Sequence, residues 1–170
     1  LGVRGPLPTV SGIRHDGVMG NRYDHPGEQT AQDPIRLLAV RDAPLSVDEI
    51  LAAVGDDAAG GTALFVGTVR DHDGGVDVAS LGYSCHPTAE AEMRRIAEGV
   101  AAKFPVRALA AVHRVGDLRV GDLAVVAAVA CAHRGDAFDA CRQLIDDLKR
   151  EVPIWKHQTF ADGTEEWVGA

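Results

Sequence analysis

Five cationic side chains in this sequence could act on an anion: Arg70, His133, Arg134, Lys149 and Lys156. The pair His133-Arg134 falls in Ala132-His133-Arg134-Gly135-Asp136, where an apolar run gives way to a helical pattern. A helix start exposes unpaired N–H groups and the positive end of the dipole, so cations placed there make a receptor for phosphate or carboxylate. From these residues alone, an ordinary strand-to-helix loop carrying a solvated Arg stands as the alternative. Lys149 lies near the end of the same helix, where the dipole favours a cation in any case. Lys156 follows Trp155 in an extended segment, and period-two alternation sends the two side chains to opposite faces. Arg70 closes Gly67-Thr68-Val69-Arg70 as a strand leaves for a glycine-rich turn, and a guanidinium grips phosphate with paired donors. For each, a solvated cation is the plain alternative. A further pair, His113-Arg114 before Val115-Gly116, reads as a hydrogen-bonded, half-buried imidazole beside a solvated Arg.

Other chemistries find no support. Cys85, Cys131 and Cys141 make an odd count without C-x-x-C spacing, which argues against a disulfide framework and a zinc site and for buried free thiols. His72 and His86, with Asp71 and Asp73, lack ligand spacing, so no metal is expected. Gly60, Gly61 and Gly67 are not followed by the Gly-Lys-Ser/Thr of a nucleotide phosphate loop, and no G-x-S-x-G motif marks a serine hydrolase. A net charge of −8 disfavours nonspecific nucleic-acid binding, so any cationic site must be local. The longest apolar run, Leu123 to Ala132, is too short to cross a bilayer, and no secretory signal is recognisable, so a cytoplasmic location is expected.

The elements that must position these residues can be read in order. The chain has 170 residues, 46% of them hydrophobic and 25% charged, which suits one domain with a substantial core. Residues 1–33 are rich in glycine, proline and scattered polar groups and read as a poorly structured N-terminal extension to a domain over 34–170. Ile35 to Val40 reads as a strand, and Ser46 with Glu49 as a capping box opening a helix that ends at Gly55. Thr62 to Val69 and Val78 to Cys85, separated by Asp71 to Gly75, read as a hairpin-like pair of strands. Met93, Ile96, Ala97, Val100, Ala101 and Phe104 recur at helical spacing before Pro105. Strands over Ala108 to Val115 and Leu123 to Cys131 flank a turn-rich connection with room for a short strand. Phe138, Cys141, Leu144, Ile145 and Leu148 place a second amphipathic helix over Asp136 to Arg150. Trp155 to Phe160 and Thr164 to Val168 flank a turn at Asp162-Gly163. Without repeated β-α-β units the pattern is α+β, with a mixed or antiparallel sheet and two main helices.

In their order and spacing, several segments together resemble the large subunits of molybdopterin synthase, the MoaE family. They are Gly67-Thr68-Val69-Arg70-Asp71-His72, His113-Arg114-Val115-Gly116, Gly121-Asp122, Ala132-His133-Arg134, Asp147-Leu148-Lys149, Val152-Pro153-Ile154-Trp155-Lys156 and Trp167-Val168. The resemblance runs from about Ile35 to Val168 and implies an α/β-hammerhead fold and a homodimer at the centre of a heterotetramer. It further implies a small ubiquitin-like sulfur-carrier subunit, the MoaD type, whose C-terminal Gly-Gly thiocarboxylate donates sulfur to cyclic pyranopterin monophosphate. No cofactor is implied. On the matching positions the resemblance makes Lys149 and Lys156 catalytic, and assigns substrate binding to Thr68, Val69, Arg70, His133, Arg134, His157 and Gln158. A cationic pocket suits a cyclic phosphate that must be held and opened, and a desolvated Lys beside other cations is suited to proton transfer. The family commonly carries an acid where this chain has Gln158. Retention of both lysines favours catalysis, while Gln158 leaves room for a noncatalytic anion-binding or scaffold subunit of the same fold.

Overall fold

The structure, a computed structural model, describes residues 32–73 and 76–169. The extension expected over residues 1–33 lies outside the described residues except for Gln32 and Asp33. Strand β1 (Ile35–Arg41) opens with the Asp33 carboxylate accepting the Ile35 N–H, and it leads to helix α1 (Val47–Ala53). The Ser46 hydroxyl accepts the Glu49 N–H at 3.2 Å, as a capping box requires. Its reciprocal half is absent, because the Glu49 carboxylate instead takes two hydrogen bonds from Arg41, at 2.7 and 2.9 Å.

Strand β2 (Gly61–Thr68) is followed by the short β3 (His72–Asp73) and the long β4 (Val76–Cys85). Helix α2 (Ala89–Lys103) precedes β5 (Val106–Arg114), β6 (Gly116–Leu118) and β7 (Leu123–Cys131). Helix α3 (Arg134–Glu151) then leads into the hairpin of β8 (Ile154–Phe160) and β9 (Glu165–Gly169), turned at Gly163 with φ 83°. The first sheet runs β1-β5-β7-β2, with β1 and β5 parallel and the other pairs antiparallel. The second runs β3-β4-β8-β9, and β6 also pairs with β4. This is the α+β architecture expected, but β2 and β4 do not form a hairpin. Strand β2 pairs with β7 over its whole length, and β4 pairs with β8 in the other sheet. Their adjacency in sequence misled, since each pairs with a strand distant in the chain.

Strands β5 and β7 are buried on both faces, so they read as near-continuous apolar runs. Their odd-numbered residues, Leu109, Ala111, Ala127, Val129 and Cys131, pack under α2 and α3. Their even-numbered residues, Ala108, Ala110, Val112, Val126, Ala128 and Ala130, pack against Ile50 and Val54 around α1. Alanine makes up four of the six residues facing α1, which lets that helix lie close on the sheet. A third cluster of Val69, Leu81, Leu118 and Ala124 packs where the two sheets meet.

Two expectations about α3 need correction. The helix begins at Arg134 rather than Asp136, which makes His133 its N-cap. Phe138, expected on the buried stripe, is 64% exposed. The stripe centres on Ala137, Ala140, Leu144 and Leu148, and Phe138 stands about 115° around the helix from that centre.

Candidate active site

Toward one end of the helix-covered face of the first sheet, three strands contribute one row: Gly67 pairs with Val125, and Val125 with His113. In its last two turns, α3 places Ile145, Leu148 and Lys149 over this row. The second sheet supplies another row, in which Lys156 of β8 sits between Tyr83 of β4 and Val168 of β9. These surfaces enclose a cavity of about 300 Å³. Gly67 is required by close approach: a Cβ there would lie 2.6 Å from Val125 Cγ1 and 3.2 Å from the Phe65 ring.

Lys149 and Lys156 therefore reach one cavity from two different elements, a helix end and a strand. The Lys149 Nζ lies 5.6 Å from the centroid of the Phe65 ring, within cation–π range. Among the described residues no carboxylate lines the cavity; its other polar side chains are Thr68, Tyr83 and His113. Two ammonium groups on walls that are otherwise largely apolar make a receptor for an anion in a chain whose net charge is −8.

His113 is held on two sides. Its Nδ1 lies 2.8 Å from the Arg114 carbonyl, and its ring meets that of Tyr83 edge to face at 5.0 Å. A carbonyl can only accept, so Nδ1 carries the proton and Nε2 the lone pair. Burial holds the imidazole below its ordinary pKa, opposed by the bond to the Arg114 carbonyl and reinforced by the nearby Lys149 charge.

The other expected site residues separate clearly. Thr68 lines the cavity with the lysines. Val69 turns into the cluster between the sheets, and its N–H and C=O are taken by Asp122 and Gly121. Arg70 is exposed just beyond β2 and does not line the cavity. His133 and Arg134 stand at the opposite end of α3 from Lys149, about 22 Å along the helix axis at 1.5 Å per residue. One protomer does not bring them to the lysines. His157 lies on the face of β8 opposite Lys156 and stacks on Trp167 at 4.3 Å. Gln158 shares the Lys156 face but is buried, and its amide donates to the Glu166 carboxylate.

Sequence reasoning had set His113 aside and had not singled out Tyr83. The available signal for His113 was the phase of β5, where it continues the odd-numbered series Leu109 and Ala111; nothing local marks Tyr83. Arg114 proves structural rather than solvated: it donates to the Asp122 carboxylate at 3.0 Å, tying the end of β5 to the turn before β7. Cys131 and Cys141 are buried free thiols and Cys85 is half-buried. Burial raises the Cys131 thiol and pushes Cys141 up to about 11. Among the described residues no cluster of His, Cys, Asp or Glu could hold a metal ion, and no helix is long and apolar enough to cross a membrane.

Residues 40–151 match the family model described as MoaE protein. The chain is 46% identical over 136 residues to molybdopterin synthase catalytic subunit 1 of Mycobacterium tuberculosis, covering 75% of this chain and 87% of that protein. It is 37% identical over 143 residues to the human molybdopterin synthase catalytic subunit, covering 84% of this chain and 74% of that protein. Among solved structures, the molybdopterin synthase of Staphylococcus aureus superposes with a TM-score of 0.72 at 31% identity, over 77% of this chain and 96% of that one.

Proposed function

The chain belongs to the MoaE protein family, and from that premise we propose that it is a molybdopterin synthase catalytic subunit, an enzyme of molybdenum cofactor biosynthesis. It acts as a sulfurtransferase. The thiocarboxylated Gly-Gly terminus of a small ubiquitin-like subunit supplies sulfur to cyclic pyranopterin monophosphate, and two transfers give the dithiolene. The observation that carries this reading is the convergence of Lys149 and Lys156 on a cavity that no carboxylate of the described residues lines.

Both reactants are anions, and the cavity offers two cations on apolar walls where charge interactions are stronger than in water. The lysine ammonium groups hold the substrate phosphate and the entering thiocarboxylate, and they donate to the oxygen on which charge develops when the cyclic phosphate opens. Thr68 adds a hydroxyl on the wall. The protein works in the cytoplasm as a homodimer within a heterotetramer, in which His133 and Arg134 of one protomer complete the anion site of the other. Their position at the far end of α3 from Lys149 supports this division, because a single protomer leaves them distant from the cavity. Gln158, being buried and bonded to Glu166, has a packing role and does not weigh toward a noncatalytic scaffold.

The test is reconstitution: purified chain, thiocarboxylated small subunit and the pterin precursor should yield molybdopterin. Absence of product with all three components folded and bound would overturn the reading.

A further inference from the structure

Sulfur transfer from a thiocarboxylate requires a base, and the cavity holds one that the lysine assignment leaves unused. When the thiocarboxylate sulfur bonds to a substrate carbon, the partner's terminal acyl group remains attached through that sulfur as a thioester. Releasing it requires water. The water oxygen bonds to the acyl carbon, the acyl carbon–sulfur bond breaks, and its electron pair stays on sulfur as a thiolate. The partner leaves as a carboxylate, and one water proton needs an acceptor at the moment of attack.

Ammonium groups have three donors and no lone pair, and the hydroxyls of Thr68 and Tyr83 are weak bases. Among the described residues lining the cavity there is no carboxylate, and His113 is the one imidazole. We propose that His113 is a further catalytic residue: its Nε2 takes the proton from the water that cleaves the thioester. Three features suit it to this role. Its Nδ1 proton is committed to the Arg114 carbonyl at 2.8 Å, which fixes the tautomer and leaves the Nε2 lone pair for the cavity. The edge contact with Tyr83 holds the ring plane. Finally, burial and the nearby Lys149 charge from α3 both oppose the imidazolium and keep the base form ready. The Lys149 charge then favours return of the proton to solvent once the thiolate and carboxylate have formed.

This inference rests on the sulfur-transfer reading, and single-turnover reconstitution separates the two. The variant is His113→Asn, whose amide N–H takes the place of Nδ1 toward the Arg114 carbonyl but whose side chain offers no basic nitrogen. With thiocarboxylated small subunit and pterin precursor, wild type should convert fully. His113→Asn should form product at about one-hundredth of that rate or less. Intact mass should show the acyl–sulfur adduct between small subunit and substrate accumulating, and added free imidazole should speed its decay. A variant that works at the wild-type rate, or that slows without adduct, overturns the inference and leaves the function standing. No product from wild type overturns the function and the inference together. Nitrogen NMR of the wild-type imidazole gives an arm independent of any variant: Nε2 should be unprotonated at neutral pH, and a protonated Nε2 overturns the proposal.

Discussion

The Lys149 ammonium stands 5.6 Å from the centroid of the Phe65 ring, so a cation delivered by the last turns of α3 is steered by a side chain of β2. Phe65 belongs to the same face of β2 as Gly67, one row deeper in the core. Replacing it with Leu keeps apolar bulk and removes the ring face. A cation–π contact is worth about 0.5–1 kcal/mol at partly exposed sites, so Phe65→Leu should lower the single-turnover rate about two- to fivefold. An unchanged rate in the folded variant would show that the ring does not position Lys149.

Lys149→Ala and Lys156→Ala should each cut product formation by about 100-fold or more while changing stability by less than about 1 kcal/mol. Lys149 is exposed at a helix end and Lys156 half-buried on a strand, so neither fills a core position. Circular dichroism and thermal melts check folding, and molybdopterin yield checks activity. Full activity in either folded variant removes that lysine from the mechanism.

Much of this arrangement was legible in the sequence because local patterns set it. Ser46 caps α1, Gly163 turns the last hairpin, and β7 spans the expected Leu123–Cys131. What sequence could not show was pairing between distant strands. Sequence proximity suggested β2 with β4, whereas the apolar faces of β2 and β7 match in register from Gly61 opposite Cys131 onward. That pairing puts Gly67 and Thr68 at the cavity, and pairing of β4 with β8 brings Tyr83 beside Lys156. For the same reason motif membership did not separate roles. Arg114 and Asp122 hold a turn and Val69 packs between sheets, whereas Lys149, Lys156 and Thr68 meet at the cavity.

If His133-Arg134 of one protomer serve the lysines of another, two inactive variants should complement. Lys149→Ala and Arg134→Ala, unfolded and refolded together, form mixed dimers in which one site keeps both its Lys149 and the Arg134 it needs. Random association makes half the dimers mixed, each with one intact site, so activity should recover to about one quarter of wild type. Recovery no greater than the sum of the separate variants would place both residues in one protomer's site and sink the crossed arrangement.

No cysteine should carry the transferred sulfur. Burial disfavours the thiolate at Cys131 and Cys141, and thiolate is the form that accepts and passes sulfur. Cys85 packs half-buried against the main core. A variant with all three replaced by Ala or Ser should still convert substrate when supplied with thiocarboxylated partner, with some loss of stability at the two core positions. Loss of transfer in a folded Cys85→Ser variant alone, or a competent persulfide on Cys85, would replace the mechanism with a cysteine relay.

The last prediction concerns stability and follows from the His113 environment. Burial, assisted by Lys149, lowers the folded-state pKa of this imidazole despite the opposing bond to the Arg114 carbonyl. In the unfolded chain the group titrates at about 6.5, so below that pH the unfolded state binds more protons than the folded one. Stability contributed by neutral His113 is present above the unfolded pKa and is lost as pH falls toward the folded pKa, where the loss levels off. The Asp122 carboxylate, lowered first by the Arg119 N–H and also by Arg114, loses its contribution in the more acidic carboxylate range, whereas the His113 loss sets in as pH falls through about 6.5. Urea unfolding of wild type and His113→Asn should therefore show wild type losing more stability as pH falls through about 6.5 and below, with the steeper slope beginning there. Parallel curves across it would mean that His113 titrates alike in both states, and the buried neutral imidazole would have to be abandoned.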